Sequence, residues 1–315
     1  MSDSLAPLDS TVGELGENAA LEWILPVLPT ADQVMLGPGD DSALVRLPDA
    51  HVLISSDMMI EGPDFRFEWS LPSDIGFKAI ASNAADIAAM GGVVVGYELA
   101  VAVPQSTPLR MLLGLAEGFA AGIEALTPGA GVLGGDLSRA EKFTIAITVL
   151  GSMQGLAPVV RSGAKPGDVV CVAGKLGLSH RGLQALLAAG DDELEIAALV
   201  RSDPAVAHHL RPVPPIAAGP LAARAGATAM MDISDGFVLD AYRIARASGV
   251  RISLNPEAGL DDHALYGGED HGLLATFPPG VTPPEGFRPV GVVEEGSAGV
   301  SLEGEDLDAQ AAGWD

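Results

Sequence analysis

Carboxylates recur in this chain where a metal-dependent reaction would use them. Asp40 and Asp41 follow a Gly-Pro-Gly turn, and Asp57 follows the apolar run Val52-Leu53-Ile54 and two hydroxyls, Ser55 and Ser56. Asp86 interrupts a stretch of small apolar residues, and Asp136 closes the segment Gly-Val-Leu-Gly-Gly-Asp. Asp232 and Asp235 bracket Ile-Ser, and Glu269 stands in Tyr-Gly-Gly-Glu-Asp. Acids gathered where strands run out into turns repel one another unless a cation lies between them. Magnesium suits them, because it takes oxygen ligands from a few carboxylates and from substrate phosphates. Taken singly, each knot reads first as a solvated acidic loop, and Asp86 as a surface or salt-bridged charge. Six such places in one chain point to several magnesium ions and hence to a polyphosphate substrate. Phosphoryl transfer depends on charge neutralisation and positioning more than on covalent chemistry. The usual nucleotide motifs are absent: there is no GxxxxGKS or GxxxxGKT loop, no GxGxxG after a strand and no HRD or DFG set. An ATP site here requires another architecture.

The elements that must carry these acids follow from apolar periodicity and turn residues. Gly13 to Leu28 reads as a helix ended by Pro29, and Val52 to Ser56 as a short buried strand with Asp57 at its end. Ser73 is the expected N-cap of a helix from Ile75 to Met90 that stops at Gly91-Gly92. Tyr97 to Val103 and Phe143 to Leu150 read as strands, and Thr107-Pro108 opens a helix through Leu126. Asp136 follows a strand and two glycines, which would let backbone approach a ligand. A boundary is expected at Gly151 to Gly155. Beyond it, Arg161 in Arg-Ser-Gly-Ala-Lys-Pro-Gly-Asp fits either a phosphate clamp or a surface charge. Helices are expected at 182–189, 193–201, 216–225 and 237–248, and strands at 169–173, 228–231, 251–254, 272–277 and 287–293. His208 and His209 tempt as a metal pair, but adjacent residues face different ways on a regular element, so a loop or cap role is expected. Both halves repeat one coarse order of strand, acidic turn, helix and strand.

The 315 residues, 48% hydrophobic and 19% charged, describe a folded chain of one or two domains. With 17 basic against 42 acidic residues, the net charge of -25 argues against nucleic acid or an anionic membrane as partner. Cys171, the one cysteine, lies in an apolar run and reads as a buried thiol. No apolar run reaches membrane-spanning length, and the first residues lack the basic and apolar regions of a signal peptide. A reducing, cytoplasmic location is expected.

Eight motifs, GPGDDSAL, SSDMMIEG, FKAIASNAADIAAMGG, VLGGD, RSGAKPGD, HLRPVPP, MDISDG and YGGED, occur in the order found in thiamine-monophosphate kinases, and the chain resembles that family from about residue 13 onward. The wider superfamily includes aminoimidazole ribonucleotide synthetase, formylglycinamidine synthetase, selenide water dikinase and a hydrogenase maturation factor. The reactive residue near the N-terminus of selenide water dikinase has no counterpart here. The resemblance implies a two-domain α/β (α+β) subunit. Residues 1–151 would bind ATP and magnesium and pair their sheet with a second copy as an intersubunit barrel. Residues 152–315, an α/β sandwich domain, would complete the ATP and substrate site. It implies a homodimer that passes the γ-phosphate of ATP to thiamine phosphate. Carried over position by position, the metal ligands would be Asp41, Ser55 or Ser56, Asp57, Asp86, Asp136, Asp232 and Asp235. Asp57, Asp136 and Asp235 would be central to catalysis, with ATP held by Gly135, Asp136, Arg161 and Ser234. Glu269 and Trp314 would face the thiamine moiety, as acid against thiazolium and as stacked aromatic.

This chain departs from the family's pattern in three places. Ser56 stands where the family usually has Thr, which keeps the hydroxyl. Asp64 stands where it usually has His, which changes the charge expected beside the substrate phosphate. The segment between Leu254 and Tyr266 is shorter than the pattern leads one to expect, and Asp315 directly follows Trp314. Two alternatives therefore stand beside the kinase: an ATP-using relative with another acceptor, and a non-catalytic nucleotide-binding homologue.

Overall fold

The computed structural model describes residues 8–37, 42–47 and 49–309. They form two compact units, one of Met1–Asn83 with Val94–Ser152 and one of Ala84–Val93 with Met153–Asp315. The expected helix from Gly13 is broken: α1 (Val12–Leu15) and α2 (Glu17–Ile24) are separated by Gly16 at φ 78°, a left-handed conformation that suits glycine. Strands β1 (Val34–Leu36) and β2 (Leu44–Val45) form a small antiparallel pair.

The main sheet of the first unit has the order β3-β6-β4-β5, from β3 (Leu53–Ile60), β4 (Val93–Val103), β5 (Val132–Arg139) and β6 (Thr144–Ser152). The pairing is antiparallel between β3 and β6 and parallel between β4 and β5. Helices α3 (Pro72–Ala89) and α4 (Leu109–Leu126) are both rich in buried apolar residues. Ser73 is not the N-cap of α3, because the helix already includes Pro72; the Asp74 carboxylate accepts the Leu71 N–H at 3.1 Å instead. α4 approaches α3 closely: a Cβ on Gly118 would stand 2.2 Å from the Ser73 carbonyl oxygen.

The second unit is built on a seven-stranded sheet, β13-β12-β9-β11-β7-β10-β8. Its strands are β7 (Val169–Ala173), β8 (Ala229–Ile233), β9 (Arg251–Leu254), β10 (Gly272–Phe277), β11 (Phe287–Glu294), β12 (Gly299–Leu302) and β13 (Glu305–Asp306). All pairings are antiparallel except β12 with β9. Alternating side chains feed two cores. Val170, Val172, Met231 and Leu274 pack with Phe237, Ala241 and Ile244 of α9 (Phe237–Ser248). Cys171, Met230 and Ala275 pack with Ala222 in the helix 218–224. Burial raises the Cys171 thiol to about 11, which makes it a small inert core residue. The remaining helices of this unit are α5 (Leu178–Ala189), α6 (Glu193–Ser202), α7 (Pro204–Leu210), α8 (Ala218–Arg224) and α10 (Asp262–Tyr266). His208 and His209 are in the last turn of α7 rather than in a loop. Among the described residues no helix is long and apolar enough to cross a membrane.

Candidate functional site

In the first unit Asp57 lies in the middle of β3, opposite Ile147, and not at a strand end. The strand runs on because Met58, Met59 and Ile60 continue the pairing with β6. Ser55, Asp57 and the buried Met59 share one face, while Ile54 and Met58 stand 64% and 56% exposed on the other. The Ser56 hydroxyl donates to the Ile147 carbonyl at 3.1 Å and lies 3.2 Å from the Thr148 hydroxyl. Asp64 closes the turn after β3: its carboxylate accepts the Ile60 N–H at 2.7 Å, and its own N–H donates to the Ile60 carbonyl.

Asp136 lies within β5, with its carboxylate accepting from the Ser138 hydroxyl. The glycines before it belong to the strand and not to a turn. A Cβ on Gly135 would stand 2.0 Å from the Leu99 carbonyl oxygen, and one on Gly134 would stand 2.9 Å from the Glu98 carboxylate. Gly134 and Gly135 therefore allow β5 to lie close against β4. They also line a cavity of about 350 Å³, together with Leu21, Ile24, Leu112, Leu115, Phe119 and Asp136. Gly37, Ser42 and Ala43 line it as well. Glu98 borders it, and loss of solvation pushes that carboxyl's pKa up. Reading the sequence alone passes over this cavity. Its only trace is that Leu112, Leu115 and Phe119 recur at helical spacing and read as ordinary core.

Asp57 and Asp136 do not meet within one chain. They sit on the two outer strands of the four-stranded sheet, strands that lie about 14 Å apart at the usual spacing. Asp41 and Trp314 lie outside the described residues. Asp86 belongs to the second unit and is half-buried, whereas every other residue from Asp74 to Ala89 is buried. Among the described residues, no three His, Cys, Asp or Glu side chains form a ready-made metal cage.

In the second unit the Asp232-Ile-Ser-Asp235 segment leads from β8 into α9. Asp232 is 6% exposed, with His271 Nδ1 3.4 Å from its Oδ2. Arg243 donates to the carboxylates of both Asp235 and Asp240, the latter at 2.7 Å, and Asp240 Oδ2 accepts the Asp235 N–H at 3.2 Å. The loop holding Glu269 is tied to this knot: the Glu269 N–H donates to the Ser234 carbonyl at 2.8 Å, and the His271 N–H to that of Ile233 at 3.1 Å. Arg161 is exposed, and its carbonyl accepts from the Ser248 hydroxyl at 2.9 Å. Asp168, the last residue of Arg-Ser-Gly-Ala-Lys-Pro-Gly-Asp, is buried and closes its own turn by accepting from the Lys165 N–H and the Thr228 hydroxyl.

The surroundings of Asp240 bear on whether a cation fits here. Burial first, and then the Asp232 charge, push its carboxyl up to about 7, although Arg243 is beside it. The knot sets the three carboxyls of Asp232, Asp235 and Asp240 against one arginine, with His271 beside Asp232, and carboxylate oxygens are what a magnesium ion takes. A pH dependence follows. Between the ordinary carboxyl value of 3.8 and about 7 the folded chain keeps the Asp240 proton and the unfolded chain has lost it. Stability from this group is therefore complete below 3.8 and is lost as pH rises through about 7. In metal-free thermal melts at pH 5 and pH 8, Asp240→Asn is expected to gain on the unaltered chain as pH rises. A difference that is flat with pH would refute the assignment.

The chain matches the model of the AIR synthase related protein, N-terminal domain, over residues 39–153. It is 40% identical to the thiamine-monophosphate kinase of Mycobacterium tuberculosis, over 99% of this chain and 94% of that one. It is 37% identical to that of Corynebacterium glutamicum, over 90% and 87%. Among solved structures it resembles AaThiL complexed with AMPPCP and TMP, with a TM-score of 0.70, 29% identity and coverage of 94% and 96%.

Proposed function

The chain belongs to the thiamine-monophosphate kinase family, and from that premise we propose which of its residues hold ATP, magnesium and thiamine phosphate. The enzyme uses ATP to phosphorylate thiamine phosphate to thiamine diphosphate. The acceptor is a phosphate oxygen that is already anionic, so no strong general base is needed. The chain's work is to bind, to orient and to offset charge.

The observation that carries the ATP assignment is the cavity lined in part by Gly134, Gly135 and Asp136. It is lined mostly by apolar side chains, is the size of a small-ligand site, and carries the carboxyls of Glu98 and Asp136. The base of ATP packs against Leu112, Leu115 and Phe119, and the phosphates extend toward Asp136. Arg161 and Ser234 supply further phosphate contacts. Magnesium would be held by Asp57, Asp136, Asp232 and Asp235, with Asp41, Asp86 and a hydroxyl of Ser55 or Ser56 completing the set; Ser55 is the one that shares a face of β3 with Asp57, and the Ser56 hydroxyl is engaged with Ile147. When bound, it neutralises the phosphate oxygens and lowers the cost of the charge that builds up during transfer. Glu269 and Trp314 face the thiamine moiety. Asp64, engaged with the Ile60 N–H, has a turn to hold as well as a place beside the substrate phosphate.

The active enzyme is a homodimer in the cytoplasm. What supports the dimer is that β3 and β5 are the edges of a four-stranded sheet and that Ile54 and Met58 are exposed on β3. Two such sheets make the eight strands of a small closed barrel, which would cover these residues. The reading also makes sense of Asp57 and Asp136 lying on opposite edges of one chain's sheet.

The direct test is ADP release with magnesium and ATP, with and without thiamine phosphate, and chromatography for thiamine diphosphate. ADP release that does not depend on thiamine phosphate would overturn the assignment. For the ATP site, Phe119→Ala is expected to raise KM for ATP about tenfold, by removing a buried aromatic contact worth about 1–3 kcal/mol, with KM for thiamine phosphate little changed. An unaltered KM for ATP would remove the base from this cavity.

A further inference from the structure

One buried carboxylate in the second unit takes no part in the reaction as described. Asp270 is 2% exposed. Its Oδ2 accepts the Gly177 N–H at 2.7 Å and its Oδ1 the Ser179 N–H at 2.9 Å. It therefore caps α5 from a loop 93 residues further along the chain, where a negative charge is favoured by the helix dipole. His208 of α7 brings Nε2 to 3.1 Å from Oδ1, off the line of a hydrogen bond. The next residue, His209, pairs its Nδ1 with the Ser179 hydroxyl at 2.9 Å. The start of α5, the end of α7 and the loop after α10 thus meet at one carboxylate.

The backbone on both sides of Asp270 is unusual. Glu269 has φ 68° and His271 has φ 52°, a left-handed conformation that residues with a side chain keep only when their surroundings hold them in it. Three consecutive residues are pinned: Glu269 to the Ser234 carbonyl, Asp270 to the helix and His271 to the Ile233 carbonyl. The loop lies flat on the helix, since a Cβ on Gly267 would stand 2.4 Å from the Cβ of His180. Asp270 is turned inward, and Glu269 is only half-buried.

We propose that Asp270, backed by His208, is a positioning residue for thiamine phosphate: by capping α5 it holds Glu269 in the left-handed conformation that presents its carboxylate to the substrate. This rests on the reading of Glu269 as the thiamine-facing acid. Asp270 touches no substrate and acts through Glu269. The pairing of loop with helix also ties the acceptor site to the Asp232–Asp235 knot, through the Glu269 to Ser234 hydrogen bond.

The test is a double-mutant cycle on the full-length enzyme, with KM for each substrate and kcat measured for Asp270→Asn, Glu269→Gln and the two together. Asn keeps one acceptor but turns an amide group toward the second N–H. Asp270→Asn is expected to raise KM for thiamine phosphate about tenfold, within the hundredfold that an ångström of misplacement can cost, and to move KM for ATP less than about twofold. In the Glu269→Gln background the same change is expected to add nothing, because the group it positions is gone. A full additive effect, or an equal rise in both KM values, would make Asp270 a general structural residue and overturn the proposal. If Glu269→Gln alone leaves KM for thiamine phosphate unchanged, the reading of Glu269 fails and takes the proposal with it, and the single variant identifies that cause. Should Asp270→Asn not fold, His208→Gln replaces it in the same cycle, with an expected rise of about threefold that again vanishes beside Glu269→Gln.

Discussion

Asp57→Asn is expected to lower kcat by about a thousandfold or more while leaving the chain folded. Asn matches Asp in shape and keeps one oxygen, so the change removes charge and almost nothing else. In phosphoryl transfer that charge matters most, because catalysis consists largely of positioning and of balancing negative oxygens. The fold has little reason to respond. Asp57 is exposed on an outer strand, and its backbone pairing with Ile147 does not depend on the side chain. A surface substitution of this kind costs within about 0.5 kcal/mol. Two measurements separate the cases: turnover at saturating substrates across a magnesium titration, and the melting temperature. Loss of turnover with an unchanged melt supports a metal ligand. Full activity at ordinary magnesium would remove Asp57 from the metal set, and a collapsed melt would make its role structural.

Gly135→Ala is the second large effect, and it works through packing. The added Cβ would stand 2.0 Å from the Leu99 carbonyl oxygen and 3.0 Å from the Leu99 carbonyl carbon, both backbone atoms that cannot turn aside. β5 must move away from β4, where Leu99 and Gly135 are register partners. Overpacking of this kind costs about 1–3 kcal/mol, and this contact belongs at the top of that range. β5 also carries Asp136 and part of the cavity's lining, so ATP binding is expected to weaken with stability. Denaturant melts and ATP titration of the same preparation would check this. A variant with wild-type melting and ATP affinity would show that β4 and β5 have room to separate, and that Gly135 serves neither.

Local chemistry explains which elements were legible beforehand. The helix 237–248 lies between Gly236 and Gly249, and the strands 251–254 and 272–277 are short apolar runs with turn residues around them. The order of eight motifs pointed to the family, which the relatives bear out. The errors arose where tertiary pairing overrode local signals. Asp57 read as a strand end because hydroxyls and an acid follow an apolar run, yet β6 supplies partners as far as Ile60. Gly134 and Gly135 read as room for a ligand, and they are first of all room for β4.

The sequence by itself determined the kind of chemistry: oxygen donors, one thiol, a strongly acidic balance and motifs in a family's order, all properties of residue type and spacing along the chain. Only the tertiary structure decided what each of those residues is beside. It built an apolar cavity from α2, α4 and β5, put Asp57 and Asp136 on opposite edges of a sheet, and brought Asp270 onto a helix that begins 92 residues before it in the chain. The physical reason is that burial, register and hydrogen bonding at such separations depend on the whole packed chain, and a local stretch of sequence carries no record of its distant partner.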